Sequence, residues 1–309
     1  MAEAKKLKND WDKTFPKSDK VTVQKVEFKN RFGITLVGDL YTPVVTQKDE
    51  KLPAIAISGP FGAVKEQASG LYAQKLAERG FITLAFDPSF TGESSGTPRH
   101  VASPDINTED FSAAVDFLSI QKNVDSDKIG VLGICGFGGF AINAAAIDTR
   151  IKATVASTMY DMTRVNAYGY NDVIDENARY EMKVALNKQR TEDYKTGTFA
   201  KAPSNPDKLN GDEPQFLKDY WAYYKTKRGF HSRSINSNGN WNLTSSLSLI
   251  NQPILAYAKE IRTPVLLIHG ENAHSRYFSE GAFAKFKEGK YLDNKELFIV
   301  EGANHTDLY

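Results

Sequence analysis

The stretch Ile129–Ile147, IGVLGICGFGGFAINAAAI, decides the fold. Its first six residues are an apolar run of the kind that forms a strand buried on both faces. Its last ten, Gly138–Ile147, are alanine-rich and read as a helix. Between them Gly133-Ile-Cys135-Gly-Phe-Gly-Gly139 must turn the chain sharply from strand to helix. Such a turn is tight and strained, so the residue at its apex needs small neighbours, and Gly133 and Gly136 supply them. Gly138 and Gly139 let the helix pack close. Cys135 stands at the apex, at a helix N-terminus, where the dipole favours a thiolate.

Working outward, short apolar runs alternate with helical patterns. Pro53–Ser58, Phe81–Phe86, Ala153–Ser157, Pro264–His269 and Glu296–Val300 read as buried strands. Helices are expected over Ala68–Arg79 and Asp105–Ile120, the second with Phe111, Ala114, Val115 and Leu118 at helical spacing. Lys20–Tyr41 alternates about Arg31-Phe-Gly33 as an antiparallel hairpin. This rhythm implies an α/β protein with a mostly parallel sheet covered on both faces. Between Asp161 and Pro264 the rhythm stops, and the text becomes polar and rich in Tyr and Asn. Helices are expected there near Asp175–Gln189 and Pro214–Lys225. The organisation expected is a polar arm (1–18), a body (19–162 and 260–309) and a mainly helical cap inserted between two strands (163–259). The aromatic cluster Tyr220, Trp221, Tyr223 and Tyr224 has three readings: a pocket wall, a subunit contact, or plain packing of the cap on the body.

The 309 residues hold 39 basic and 38 acidic side chains, so nothing favours a nucleic-acid partner. Five histidines and one cysteine are too few and too scattered for a zinc framework, and one cysteine cannot form an internal disulfide. No run approaches the roughly 20 apolar residues of a membrane helix, and the first residues lack a secretory signal. A soluble, cytoplasmic protein is expected, with a trimmed export signal as the alternative; no metal or organic cofactor is implied.

A single cysteine is, taken alone, most often a small buried hydrophobe. The glycines beside it do not make a phosphate cradle, because Gly-x-x-x-x-Gly-Lys-Ser/Thr is absent and the order fails Gly-x-Gly-x-x-Gly. Position after the fifth strand favours a nucleophile. A base should then follow in the loop after the last strand, and Glu301-Gly-Ala-Asn-His305 provides His305 there. The oxyanion hole should use the N–H of Gly136 and one donor from the loop after Ser58; Pro60 has none, which leaves Phe61. Lys65-Glu-Gln67 reads as a brace for the loop. Asp87-Pro-Ser-Phe-Thr-Gly-Glu-Ser-Ser-Gly96 resembles the Asp-x-x-Gly-x-Gly-x-Ser turn after the fourth strand of α/β-hydrolases, a resemblance that implies a structural role beside the elbow.

The chain resembles the α/β-hydrolase superfamily. The Gly-x-Cys-x-Gly-Gly elbow is similar to that of dienelactone hydrolases. Asn30–Leu36, Gly59–Gln67, Gly133-Ile-Cys135 and Gly270–Glu280 resemble bacterial YcjY-type hydrolases with a cysteine nucleophile. The likeness runs from about Lys20 onward and departs from the common elbow at Phe137, where glycine is usual. It implies a Cys135–His305–acid arrangement, with the acid three residues past Gly270. That place holds Ala273, so the candidates are Asp161, after the preceding strand, and Glu271 as the alternative. The resemblance implies a hydrolase for a small ester, thioester or lactone, working through an acyl-cysteine on a small-molecule substrate. The alternatives are an acyltransferase with the same nucleophile and a non-catalytic binding member that has lost its acid. Capped relatives often pair, so a homodimer is the expected assembly. His269 is expected to pack at a strand end, while the roles of His274 and Arg276 stay open.

Overall fold

The computed structural model describes residues 11–44, 50–237 and 239–309. Within them eight strands form one sheet: β1 (Val21–Lys29), β2 (Thr35–Pro43), β3 (Leu52–Ser58), β4 (Ile82–Phe86), β5 (Val124–Ile134), β6 (Ile151–Ser157), β7 (Val265–Gly270) and β8 (Lys295–Val300). Their spatial order is β1-β2-β4-β3-β5-β6-β7-β8. The hairpin β1–β2 and its junction with β4 are antiparallel; every pair from β4 to β8 is parallel. The burial pattern follows composition. All five residues of β4 (Ile-Thr-Leu-Ala-Phe) are buried, whereas edge strand β1 exposes most of its length.

The crossover helices are α1 (Ala68–Ala77), α2 (Pro104–Ser119), α3 (Gly136–Ile147) and α8 (Arg276–Lys287). Ser103 caps α2 by accepting the Ile106 N–H at 3.3 Å, with Pro104 at the first helical position. Phe111, Ala114, Val115 and Leu118 are buried, as their spacing requires. Trp11–Ser18 of the expected arm lies on the body: Phe15 is buried and the Thr14 N–H donates to the Glu66 carbonyl at 3.0 Å. The expected arm's first ten residues, and residues 45–49 and 238, lie outside the described residues.

Among the described residues no sheet strand comes from the stretch between β6 and β7, where the cap was expected. It holds α4 (Met162–Tyr168), α5 (Glu176–Thr196), α6 (Gln215–Tyr224) and α7 (Ser246–Asn251). Helix α5 runs seven residues past the expected Gln189 and stops at Gly197 in the left-handed conformation. Only Leu186 and Asp193 of its residues are buried, so it carries almost no apolar periodicity to read. Helices α4, α7 and α8 were not foreseen. Helix α8 buries Phe278, Ala282 and Phe286 at four-residue spacing, a legible pattern hidden by reading its start as a catalytic loop.

Candidate active site

Cys135 sits between β5 and α3 with φ 55° and ψ −126°, a conformation that costs a non-glycine residue about 1–3 kcal/mol. Surrounding hydrogen bonds hold it. The Cys135 N–H donates to the Ser157 carbonyl at 3.0 Å, and its own carbonyl accepts from Gly138 at 2.9 Å and Tyr160 at 2.8 Å. Glycine is obligatory at 133, where a Cβ would lie 2.0 Å from the Phe137 carbonyl oxygen. At the unusual elbow position 137 the phenylalanine turns into the core, packed against Phe61, Phe111 and Phe140.

The loop after β3 approaches this elbow closely. Gly59 has φ +96°, and a Cβ there would meet the Ile134 carbonyl at 2.3 Å. The result is convergence: Phe61 and Gly136, the two residues expected from sequence to supply donors, pack so closely that a Cβ on Gly136 would lie 2.9 Å from Phe61 Cβ. Their backbone N–H groups, with the Tyr309 side chain, act on the Cys135 thiol to lower its pKa. Burial is the dominant influence and pushes the thiol's pKa up despite these donors. That direction opposes the thiolate expected at a helix N-terminus and favours a neutral thiol.

His305 follows β8 and is buried. Its Nδ1 lies 2.6 Å from Ser275 Oγ and 2.8 Å from Thr158 Oγ1; its Nε2 lies 3.0 Å from the Tyr309 hydroxyl. Burial, reinforced by His274 and His269, holds the imidazole well below its ordinary pKa, so it too rests neutral. The Tyr309 hydroxyl thus meets the base, and Tyr309 and Cys135 are near enough for each to act on the other's pKa. Behind Ser275, its Oγ lies 2.9 Å from His269 Nε2, and His269 Nδ1 lies 2.7 Å from Ser279 Oγ. Burial drives His269 down to about 3.

Neither expected acid reaches the imidazole. Asp161 is the N-cap of α4: its Oδ1 accepts from Thr163 N at 3.0 Å, Thr163 Oγ1 at 2.5 Å and Arg164 N at 2.9 Å. Unsatisfied helix N–H groups are strong competitors for a carboxylate, and here they hold it. Glu271 is exposed and ties two turns together by accepting the Gly302 N–H at 2.9 Å. Among the described residues no carboxylate hydrogen-bonds His305. The hydroxyls of Ser275 and Thr158 occupy that place. Sequence reading stopped at Ala273, two residues short of Ser275, and a threonine at φ 45° gives no sequence signal of its own.

The thiol opens on a cavity of about 450 Å³ whose lining includes Tyr160, Met162, Phe216, Tyr220, Tyr224 and Trp241 and, among the described residues, contains no charged side chain. The aromatic cluster of α6 thus divides: Tyr220 and Tyr224 face this cavity, while Tyr223 packs edge-on against Tyr309 and Trp221 donates to the Asp207 carbonyl at 3.2 Å. His274, whose role was open, contacts the Tyr160 hydroxyl and stacks on Phe216, and burial brings it to about 4. A second cavity of about 470 Å³ lies across α4 and is lined by Asp161, Arg164, Arg179 and Lys285. Cys135 is not part of its lining.

Beneath the Phe61 loop is a buried ionic cluster. Lys65 Nζ contacts Glu66 at 2.7 Å, Asp87 at 3.1 Å and Glu93. Arg233, from the stretch between β6 and β7, reaches the same Glu66 at 2.7 Å. Gln67 accepts the Val64 N–H at 2.9 Å and donates to Asn236 Oδ1 at 3.2 Å, binding the loop to that stretch.

A sharp, strained turn between β5 and α3, with a histidine after the last strand and two convergent N–H donors, defines an α/β-hydrolase-fold protein. Within that fold the chain belongs to the S15 peptidase family of hydrolases, described as X-Pro dipeptidyl-peptidase, whose model matches residues 33–306. It is 59% identical over 304 residues to the uncharacterized Pseudomonas aeruginosa protein PA2218, covering 98% of this chain and 80% of that one. A crystal structure of PA2218 superposes with a TM-score of 0.93 at 58% identity, covering 100% of this chain and 94% of that one. It is 34% identical to the uncharacterized protein YcjY of Escherichia coli over 288 residues, 92% of each chain. It is also 34% identical over 139 residues to the thiohydrolase aneE of Aspergillus aculeatus, covering 45% of this chain and 42% of that one. The YcjY resemblance noted from the motifs has its counterpart in these relatives; the likeness to dienelactone hydrolases rests on the elbow alone. Among the described residues no helix is long and apolar enough to cross a membrane.

Proposed function

We propose that the chain hydrolyses or transfers the acyl group of a small, uncharged ester, thioester or lactone, with Cys135 as nucleophile. The observation that carries this reading is the meeting of the thiol with the Phe61 and Gly136 N–H groups at the floor of an uncharged aromatic cavity. The thiol sulfur attacks the acyl carbon. Its proton passes to the Tyr309 oxygen as the tyrosine proton passes to His305 Nε2. The tetrahedral oxyanion lies against the two N–H groups, each worth about 3 kcal/mol in comparable sites. Collapse expels the alcohol or thiol, which takes the proton back from His305, and water or another acceptor then releases the acyl group.

A neutral thiol beside a neutral imidazole suits activated acyl compounds such as thioesters, the bond class in the fungal relative's name, thiohydrolase. It also argues against the substrate in the family's description. A dipeptidyl substrate carries an α-ammonium group, and the cavity offers no carboxylate to meet it. The proposed residues are Cys135 and His305 for acyl chemistry, with Gly136 and Phe61 as the oxyanion hole; Asp161 and Glu271 are left out. The proposed boundaries of the cap, 163–259, place Tyr220 and Tyr224 in it as the residues that set acyl shape.

The test is incubation with p-nitrophenyl butyrate and butyryl-N-acetylcysteamine, followed by intact-mass analysis. An acyl adduct confined to Cys135, with turnover lost in Cys135→Ala and reduced in His305→Ala, is expected. Undiminished turnover by Cys135→Ala overturns the reading. Iodoacetamide labelling should accelerate only above pH 8.5, about the free thiol value, because burial raises Cys135; a plateau already at pH 6 would instead reveal an ion pair.

A further inference from the structure

Four side chains form one hydrogen-bonded line behind Cys135: Tyr309, His305, Ser275 and His269, with links of 3.0, 2.6 and 2.9 Å. A fourth link of 2.7 Å ends the line on Ser279. His305, Ser275, His269 and Ser279 are all buried, so water does not supply alternative partners. Two facts limit how protons can be arranged along such a line. Each neutral imidazole has one donor and one acceptor nitrogen, and each hydroxyl gives one proton while accepting others.

We propose that Ser275 and His269, in place of a carboxylate, hold His305 in its Nδ1–H tautomer so that Nε2 keeps a free lone pair toward Tyr309 and Cys135. This rests on the acyl-transfer reading above. In that arrangement His269 Nδ1–H donates to Ser279, the Ser275 hydroxyl donates to His269 Nε2, and His305 Nδ1–H donates to Ser275. Tyr309 then donates to His305 Nε2. Each ring nitrogen on the line and the Ser275 hydroxyl proton are then used once. Thr158 Oγ1, 2.8 Å from His305 Nδ1, is a second acceptor for the same N–H. The reversed line would satisfy as many bonds, but it would put a proton on Nε2 and leave no base for the thiol.

Ser275 and His269 touch neither substrate nor sulfur in this scheme and act as positioning residues. A carboxylate orients a base and also stabilises its cation. Hydroxyl and neutral imidazole can orient, but they give the cation less stabilisation. The charged and titratable groups facing the line are His274, beside both His269 and His305, and Arg276 of α8; around His305 stand Tyr160, Tyr220 and Tyr309. None is anionic at neutral pH.

Five histidines make the line observable by long-range nitrogen–proton correlation of imidazole-labelled protein. The full chain should show His305 as the neutral Nδ1–H tautomer from pH 6 to 9, and Ser275→Ala should shift it toward a mixture. With p-nitrophenyl acetate, the pre-steady-state acylation rate of Ser275→Ala should fall about 10–100-fold, with little change in KM. His269→Leu should match it, while His269→Gln, whose amide oxygen can replace the Nε2 acceptor, should recover most of the rate. If His269→Leu does not fold, Ser275→Ala and the tautomer measurement decide. An Nε2–H tautomer in the unmodified chain, or a Ser275→Ala protein with unchanged tautomer and rate, overturns the proposal. Failure of Cys135 to take up any acyl group would instead sink the acyl-transfer reading, and the tautomer would still report on the line.

Discussion

Two of the buried polar clusters among the described residues, those around His305 and Lys65, are built in opposite ways. Around His305 every side chain is neutral: imidazoles, serine, threonine and tyrosine linked at 2.6–3.0 Å. Around Lys65 almost every side chain is charged. Burial pushes Lys65 down, but Asp87, Glu66 and Asp39 more than reverse it and keep it cationic. Burial raises Asp87 to about 6, against the pull of Lys65. The contrast has a physical logic. An ion pair taken out of water is rigid because separating its members exposes an uncompensated charge; that suits a brace under the Phe61 loop. A proton has to move past His305, and a neutral chain lets it move without first breaking a strong pair.

The sharpest way to break this comparison is to remove the cation from the brace. Lys65→Met leaves Glu66 and Asp87 buried without it and should destabilise the fold by about 3–5 kcal/mol in urea denaturation. A loss under 1 kcal/mol would show that water reaches the cluster and that the contrast is overdrawn.

Acid should separate the two clusters. The neutral one fails first. His269, at about 3, His274, at about 4, and His305, also depressed, take up protons in the unfolded chain near 6.5 but not in the folded one. Stability is therefore lost as pH falls below 6.5, by up to about 2 kcal/mol per buried imidazole at pH 5. In the ionic cluster burial raises Glu93, but Lys25 and Lys65 win and bring it to about 2; its contribution is present above 4.5 and fades only below that. Denaturation midpoints measured from pH 7.5 to 4 should show this early loss. Asp87 and Asp110, both raised to about 6, gain protons in the fold and offset part of this loss. The deciding readout is therefore the imidazole signals of the folded chain, and their titration near 6.5 would mean that the imidazoles are charged in the fold.

Two smaller effects sharpen the boundary of the neutral cluster. Asp161→Ala removes the α4 cap and should cost about 1 kcal/mol in thermal or chemical denaturation, with acylation of Cys135 within about threefold of the parent. A thousandfold drop in acylation would restore Asp161 as the triad acid. Glu271→Gln should stay within about 0.5 kcal/mol and leave acylation unchanged, since its one recorded bond is to an exposed turn.

Legibility followed the nature of each signal. The elbow could be read because strand, glycines and helix are contiguous, and Cys135, Gly136 and Phe61 then fall where the fold places them. The positions of α1, α2 and α6 were readable from periodicity. Helix α5 overran its expected end because a polar helix leaves no stripe to measure. The acid was misplaced for a different reason. Asp161 follows the right strand, but the choice between capping α4 and orienting His305 is made by which unsatisfied group lies nearest. Ser275, His269 and Thr158 come from separate segments, and a serine in a sequence does not announce that it stands where a carboxylate is expected.

By itself the sequence determined a parallel α/β sheet, a strained turn with a cysteine at its apex and a histidine after the last strand, because hydrophobic period and glycine placement are local properties of a chain. Only the tertiary structure decided the protonation of that pair and its partners. Burial pushed the thiol's pKa up and the imidazole's down, and the folded ends of β6 and β7 brought hydroxyls to the imidazole where a carboxylate was expected.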